Sequence, residues 1–246
     1  MPLATRTVLA LLALLLVGCQ LTPEDQPDNP LKRRPLKVQH ALGEVRVPYL
    51  SDEPVTIDPA ALETALALGV KPKGATSWHD DGKFPSYLRG TSGIKWLGKA
   101  GRPNLEATKR VDPDVIIGNS LYQKRYFLRL SKIAPTVMSG VPLTEWKSDV
   151  RFFGEALGRS DEGERLLIDW DHRAARARRA VRRSHVRRVR LPRSLTDELS
   201  QDFLNTVLED AGLRPGSVKA HGRGGGIIAG RRVLAAIERS AGESGQ

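Results

Sequence analysis

The sequence predicts an α/β fold built around a mostly parallel sheet. Between residues 54 and 138, short apolar segments typical of buried strands alternate with segments of helical periodicity, which is the pattern of consecutive βαβ units. The segment DVIIG at 114–118 is apolar from its second residue to its last, as expected for a parallel strand covered on both faces. Polar and aromatic side chains follow these strands, at the edge where open α/β sheets bind ligands.

The first predicted strand is EPVTI, and the helix after it has clear boundary signals. Asp58 is expected to be the N-cap, Pro59 lies in the first turn, and Gly69 ends the helical segment AALETALALG. The next three predicted strands are KPKGATSW, GIKWLG and DVIIG. A fifth, KIAPTVM, contains a proline and is therefore expected at an edge of the sheet.

A helix is predicted between the third and fourth strands, in the segment RPNLEATKRVDP. Asn104 is a good N-cap, and Leu105 and Val111 have the spacing that puts them on one face. Asp112 and Pro113 end the helix, so the chain enters the DVIIG strand directly afterwards.

The loops after the predicted strands carry side chains that could face one common cleft. Carboxyl ends of parallel strands lie at the same edge of a sheet, so residues that follow different strands are expected to converge there. These residues are Asp58, Ser77, Trp78, Lys99, Arg102, Asn119, Ser120 and Tyr122.

Two further helices are expected after the sheet. TEWKSDVRFFGEALGRS is amphipathic through Trp146, Val150, Phe153 and Leu157, and Gly158 interrupts it. A second helix should begin at Ser160 and continue for more than twenty residues, which corresponds to roughly 34 Å. A helix of that length can link two lobes.

The N-terminus has the form of a lipoprotein signal peptide over residues 1–19. Arg6 precedes an apolar core from Val8 to Val17, which is too short to span a bilayer, and LVGC matches a bacterial lipobox. Cys19 is the sole cysteine, so we expect it to carry a lipid and expect no disulfide. Residues 20–35 are predicted to be a flexible tether.

The formal net charge of +11 comes from a single segment. Residues 172–193 contain ten arginines and no acidic residue, and the rest of the chain therefore has a net charge of 11 − 10 = +1. The segment has no Tyr, Trp or Phe, which argues against nucleic-acid binding. Two interpretations stay open: a solvated helix face that continues into altered sequence, and a strip that lies against anionic lipid.

The sequence lacks the common signatures of enzymes and metal sites. The five histidines form no HExxH pair, there is no GxSxG, and the glycines at 222–226 have no preceding strand and no following GK[ST]. WHDD at 78–81 fits a solvated turn better than a metal site. We therefore expect no enzymatic activity, no cofactor and no metal ion bound directly by the protein.

Several segments, taken together and in this order, resemble the iron-siderophore substrate-binding lipoproteins of bacterial ABC importers, of the ferric citrate and hydroxamate type. The segments are VQHALGEVRVP, TIDPAALETALALGVKPKGA, YLRGTSGIKWLGKAGRPNLEATKRVDPDVIIG, LSKIAPTV and WKSDVRFFGEALGRSDEGERLL. The resemblance implies a periplasmic-binding-protein-like fold, in which a Rossmann-like parallel-sheet lobe is joined by a long helix to a second α/β lobe. It also implies that the protein captures an Fe(III)-siderophore and delivers it to an ABC transporter permease.

Ferric siderophores are often anionic and have broad apolar faces, so cationic and aromatic side chains suit their binding. The resemblance therefore directs attention to these ligand-binding candidates: Trp78, Tyr87, Arg89, Trp96, Lys99, Arg102, Asn119, Ser120 and Tyr122. It assigns Glu106 to docking on the permease and Cys19 to lipid anchoring, at the periplasm or cell surface. Haem or a cobalamin is an alternative ligand, with Tyr87, Tyr122 or His79 as axial candidates for haem, and a degenerate, non-transporting lipoprotein is a further alternative.

The sequence departs from the family after about residue 172. We expect an N-terminal α/β lobe at 36–143, a helical linker at 144–183 and an incomplete C-terminal lobe at 184–246, as a truncated or frameshifted gene would produce. Residues 173–246 are expected to be loosely ordered, apart from helices near 200–212 and 230–240.

Overall fold

A six-stranded sheet lies at the centre of the computed structural model, which describes residues 34–184 and 189–243. The signal peptide, Cys19, His185 and residues 20–33 of the expected tether lie outside the described residues. The strands are β1 (Leu36–His40), β2 (Gly43–Val47), β3 (Val55–Thr56), β4 (Gly74–Ser77), β5 (Lys95–Lys99), β6 (Arg102–Pro103), β7 (Ile116–Asn119) and β8 (Thr136–Ser139).

The strand order in the sheet is β6-β5-β4-β3-β7-β8, and all neighbouring pairs except β5 with β6 are parallel. The predicted mostly parallel α/β sheet and its five strands are confirmed, and β8 lies at an edge as the proline in its segment required. Two antiparallel features were not predicted. They are the two-residue strand β6 and the hairpin of β1 with β2, in which Val38 and Val47 point into the core.

The helices are α1 (Pro59–Ala67), α2 (Leu105–Arg110), α3 (Ser120–Gln123), α4 (Phe127–Leu130), α5 (Trp146–Ala156), α6 (Ser160–Ser184), α7 (Arg193–Thr196), α8 (Gln201–Asp210) and α9 (Ile227–Glu243). The N-caps predicted for α1 and α2 are both confirmed. The Asp58 side chain accepts hydrogen bonds from the amides of Ala60 and Ala61, and the Asn104 side chain accepts one from Ala107.

The long helix α6 begins at Ser160 as predicted and packs against α5 and α9. Its buried side includes Trp170, whose ring centroid lies 4.5 Å from that of Trp146 in an edge-to-face pair. Its outer side is charged. Across residues 34–184 and 189–243, no helix is both long enough and apolar enough to cross a membrane.

The expectation that the C-terminal half is loosely ordered is not met in the described residues. Leu199, Phe203, Val207 and Ile237 are fully buried and belong to the same hydrophobic cluster as Trp170. Helices α8 and α9 lie close to the positions predicted for them, and their apolar faces cover the helices of the first half. This apolar burial stabilises the C-terminal half because it removes several large side chains from water.

A buried carboxylate links the two halves of the chain. Glu63 on α1 is 1% exposed; its Oε1 accepts a hydrogen bond of 2.6 Å from the Tyr87 hydroxyl, and its Oε2 accepts bonds of 3.0 and 2.9 Å from the amides of Ile228 and Ala229. These amides belong to the first turn of α9 and have no partner within the helix. Glu63 therefore caps a helix that lies about 165 residues further along the chain.

Glu63→Ala should destabilise the fold by about 3 kcal/mol, because it leaves one hydroxyl and two backbone amides buried without an acceptor. Glu63→Gln should cost about 1 kcal/mol or less, since the amide oxygen can accept from the two backbone amides and the amide nitrogen can donate to Tyr87. Urea unfolding of both variants measures the difference. Equal losses in the two variants would show that the hydrogen bonds are not what Glu63 contributes.

Candidate functional site

A cavity of about 690 Å³ opens at the carboxyl ends of β4 and β7, where the sequence predicted a cleft. Residues from both halves of the chain line it. From the first half these are Trp78, Gly101, Ser120, Leu121, Tyr122, Lys124 and Arg125, and from the C-terminal half they are Ser200, Gly222 and Arg223.

An aromatic and aliphatic surface forms one side of the cavity. The rings of Trp78 and Tyr122 meet edge to face, with centroids 5.5 Å apart and an angle of 88° between the planes. Tyr122 is 42% exposed and Leu121 is 55% exposed. Large apolar side chains this accessible at a cavity can contact a broad apolar ligand surface.

Three cationic side chains line the same cavity, and none of the three makes an ion pair with a described carboxylate. Arg125 donates a hydrogen bond of 2.7 Å to the carbonyl oxygen of Gly101, and its guanidinium carbon lies 4.9 Å from the centre of the Tyr126 ring. Lys124 precedes it in a short 3₁₀ segment. The third is Arg223. With no carboxylate to neutralise them, these side chains favour an anionic ligand.

The glycine-rich segment 222–226 positions Arg223. The amide of Gly222 donates to the carbonyl of Leu199 over 2.8 Å, and the amide of Ser200 donates to the carbonyl of Gly224 over 2.8 Å. A Cβ atom on Gly222 would lie 2.1 Å from the carbonyl carbon of Glu198. Since glycine alone permits this close approach, the segment can run against the start of α8 and bring Arg223 to the cavity.

A second cavity of about 10 Å³ shares Trp78, Tyr122 and Arg223 with the first. Asp58 and Asp149 line it, and Asp149 is 2% exposed with an Oδ1 atom that has no hydrogen-bond partner among the described residues. Burial, followed by the nearby carboxyl of Asp58, raises the pKa of Asp149 to about 8. Burial likewise raises the pKa of Asp58 to about 6. Near neutral pH Asp149 is therefore mainly protonated.

The described residues contain no group of three or more metal-binding side chains that could hold a metal ion. In the WHDD segment, the Nε2 atom of His79 lies 2.9 Å from a carboxylate oxygen of Glu198, and Asp80 pairs with Lys99. These side chains therefore interact with other residues of the same chain.

Of the predicted ligand-binding residues, the structure brings Trp78, Ser120 and Tyr122 to the main cavity. Asn119 lines the small neighbouring cavity, but its side chain is already engaged. Its Oδ1 accepts from the amide of Leu121, and its Nδ2 donates to the carbonyl of Val141. Asn119 therefore caps α3 and holds the loop in place.

Two predicted aromatic residues do not line the main cavity. Tyr87 is buried beside α1, where its hydroxyl donates to Glu63. Trp96 is partly exposed, and its Nε1 donates to the Ser77 hydroxyl over 3.2 Å. The Tyr87 hydroxyl and the Trp96 indole are thus both used in hydrogen bonds within the protein.

The three predicted basic residues also lie outside the lining of the main cavity. Arg89 and Arg102 are exposed, and Arg102 lies in β6, whose antiparallel pairing with β5 was not predicted. Lys99 forms a 2.7 Å ion pair with Asp80. The cavity instead obtains its cations from Lys124, Arg125 and a distant loop.

These cationic residues were not predicted from the sequence, for two different reasons. Lys124 and Arg125 come directly after the predicted polar loop at the end of β7, and extending that loop by three residues would have included them. Nothing local marks Arg223, because it reaches the cavity only through the packing of α8 and α9 against the first half.

The free energy of unfolding should fall as the pH rises from 5 to 8, because Asp58, Glu63 and Asp149 have pKa values of about 6, 7 and 8, all above their ordinary values. The folded chain holds protons that the unfolded chain releases, so this contribution is lost as the pH passes through the raised values. Asp149→Asn should flatten the dependence and stabilise the protein at pH 8 by about 1 to 3 kcal/mol.

Urea unfolding of the parent chain and of Asp149→Asn, each at pH 5 and pH 8, measures this effect. The two proteins should differ more at pH 8 than at pH 5. The same difference at both pH values would mean that the Asp149 carboxyl is charged throughout this range.

Comparison with known proteins agrees with this architecture. The model of the periplasmic binding protein family matches residues 55–197. The chain is 26% identical over 213 residues to the probable siderophore-binding lipoprotein YfiY of Bacillus subtilis, covering 84% of this chain and 66% of YfiY. It is 29% identical over 136 residues to the achromobactin-binding periplasmic protein of Dickeya dadantii, covering 55% of this chain and 44% of that protein.

The structure resembles that of Staphylococcus aureus SirA complexed with staphyloferrin B, with a TM-score of 0.61 and 26% identity over 74% of this chain and 64% of SirA. It also shares its fold with the petrobactin-binding protein YclQ of Bacillus subtilis, with a TM-score of 0.55 and 22% identity over 77% of this chain and 70% of YclQ. The chain spans 66% and 44% of the lengths of the two curated relatives described above. Because the family model covers more than half of its residues, the chain belongs to the periplasmic binding protein family.

Proposed function

We propose that this protein is the extracytoplasmic substrate-binding component of an ABC importer and that it captures an Fe(III)-siderophore for delivery to the permease. The observation that carries the proposal is the main cavity, where the Trp78 and Tyr122 rings face the same space as three cations without carboxylate partners. A relative whose name specifies siderophore binding supports the same ligand class.

The chemistry of the cavity suits a ferric chelate. Its volume of about 690 Å³ lies within the usual range for sites that bind small molecules. The aromatic rings can pack on the apolar part of a chelator, and the cations can pair with its negative charge. The siderophore itself holds the iron, so the protein needs no metal ligand of its own and performs no reaction on its cargo.

The alternatives receive less support from the described residues. Haem would favour an axial His or Tyr, but His79 is paired with Glu198 and the Tyr87 hydroxyl is bonded to Glu63. Tyr122 is the one of the three axial candidates that lines the cavity, and its ring packs against Trp78. The buried core of the C-terminal half argues against the degenerate lipoprotein.

Trp78→Ala and Arg223→Ala should each weaken the binding of a ferric chelate by about 5- to 150-fold, because a stacked ring or a desolvated charge contributes about 1 to 3 kcal/mol. Trp96→Ala and Arg102→Ala are matched controls, since they remove the same residue types from positions outside the cavity lining. Quenching of tryptophan fluorescence, titrated with ferric citrate and with a ferric hydroxamate, gives the affinities.

Haem and cobalamin, titrated in the same way, test the alternative ligands. Equal affinity of the cavity variants and the control variants for every chelate would exclude this cavity as the binding site. Tight binding of haem with no response to ferric chelates would replace the proposed ligand class.

We also assign docking on the permease to Glu106, an exposed residue in the first turn of α2. Glu106→Lys should then lower uptake of the labelled ferric chelate into cells while leaving its affinity for the protein unchanged. Normal uptake by this variant would leave Glu106 with the role of stabilising the N-terminus of its helix.

Cys19 is the proposed point of lipid attachment, in agreement with relatives that are named lipoproteins. Cys19→Ser should release the chain from the membrane fraction, because removal of the acyl chains removes most of its bilayer affinity. Fractionation of cells followed by immunoblotting measures the release. Continued tight retention of the variant would instead indicate attachment through the arginine-rich segment, and that retention should weaken steeply with salt.

A further inference from the structure

Residues 172–184 of the arginine-rich segment lie on α6, which packs against α9. Arg231 on α9 pairs with Asp169 on α6 over 2.7 Å, and Arg176 on α6 lies 3.8 Å from Glu238 on α9. Both pairs advance by seven residues on each helix, so α6 and α9 run parallel. The C-terminal turns of α6 and α9 therefore lie at the same end of the pair.

Exposed arginines lie on the last turns of α6, on the segment that follows α6, and on α9. We call the following set the arginine surface: Arg179, Arg182, Arg183, Arg190, Arg232 and Arg239. The amide of Arg190 donates to the hydroxyl of Ser240 over 3.4 Å, which holds residues 189–193 beside the last turns of α9. Within the part of the chain that the structure describes, none of the six makes an ion pair.

The arginine surface includes a concave site. Arg232 and Arg239, two turns apart on α9, line a cavity of about 190 Å³ together with Ser86, Ser194 and the buried Tyr87. The acidic residues described near this cavity already have other partners. Glu63, which contacts Tyr87, accepts three hydrogen bonds. Glu198 pairs with His79, and Glu238 pairs with Arg176. Two guanidinium groups beside serine hydroxyls form a site that suits a phosphate group.

We propose that the arginine surface binds the headgroups of anionic phospholipids, with the cavity between Arg232 and Arg239 receiving one phosphate group. Part of the surface also has a structural role, because Arg182 and Arg183 in the last turn of α6 interact favourably with the helix dipole. That role does not account for Arg232, which lies near the start of α9. The absence of aromatic residues from residues 172–193 disfavours nucleic acid as the partner.

Lipid binding at this surface would add to the lipid attached at Cys19. A polybasic surface can act as an additional membrane signal beside a covalent lipid anchor. The contribution of the arginines is electrostatic, so it should be strong at low salt and weak at high salt. It is independent of the ferric-chelate cavity, which is lined by other residues.

The test uses residues 20–246, which contain every described element, and vesicles of phosphatidylcholine with or without phosphatidylglycerol. Co-sedimentation should require phosphatidylglycerol and should decrease as salt is added. The double variant Arg232→Gln/Arg239→Gln should partition about 25-fold more weakly, at about 5-fold for each arginine. The control Arg46→Gln/Arg110→Gln removes the same charge from exposed positions on β2 and α2. Its partitioning into the vesicles should decrease much less.

Equal loss in the two double variants would overturn the proposal, because it would reduce the effect to net charge. Equal sedimentation with neutral vesicles would also overturn it. Retention of DNA with the same dependence on Arg232 and Arg239, without vesicle binding, would identify a nucleic acid as the partner instead. Both double variants should bind ferric citrate as the parent chain does, so that failure of this proposal can be distinguished from failure of the proposed transport function.

Discussion

The burial of the Glu63 carboxylate is the constraint on which the arrangement of the C-terminal half depends. Its Oε2 atom binds the two amides that begin α9, and its Oε1 atom binds the Tyr87 hydroxyl. A carboxylate in an apolar environment is costly unless such donors surround it. Glu63 therefore favours the one position of α9 at which all three donors reach it, and α9 in turn packs along α6.

The position of α9 also fixes the glycine-rich segment before it. A Cβ atom on Gly226 would lie 2.7 Å from Oε2 of Glu63, and one on Gly225 would lie 2.3 Å from the Phe203 ring. The segment can approach both groups only because it lacks side chains there. Three residues before Gly226, Arg223 reaches the cavity. The buried carboxylate on α1 and the cation at the ligand cavity are thus connected through a short stretch of backbone.

Basic and acidic side chains lie close together at the cavity, but they differ in their exposure to solvent. Lys124, Arg125 and Arg223 are exposed to solvent, whereas Asp58 and Asp149 are buried beside the aromatic residues, and burial raises the pKa of each of these two acids. Protonation of Asp149, whose pKa is about 8, limits the negative charge near the cavity at neutral pH. The site can therefore present a net positive charge to an anionic chelate even though two carboxyl groups lie close to it.

The sequence by itself determined the elements whose signals are local. The Asp58 and Asn104 caps, the apolar strand before Asn119 and the start of α6 at Ser160 all depend on contacts within a few residues, and the structure reproduces each of them. The convergence of Trp78, Ser120 and Tyr122 was predictable for the same reason, because parallel strands end at one edge of the sheet. Tertiary structure alone decided the rest. The Tyr87 hydroxyl turns to Glu63, and Arg223 joins the cavity from the far end of the chain, because hydrogen bonds and apolar burial between distant segments determine where these side chains lie.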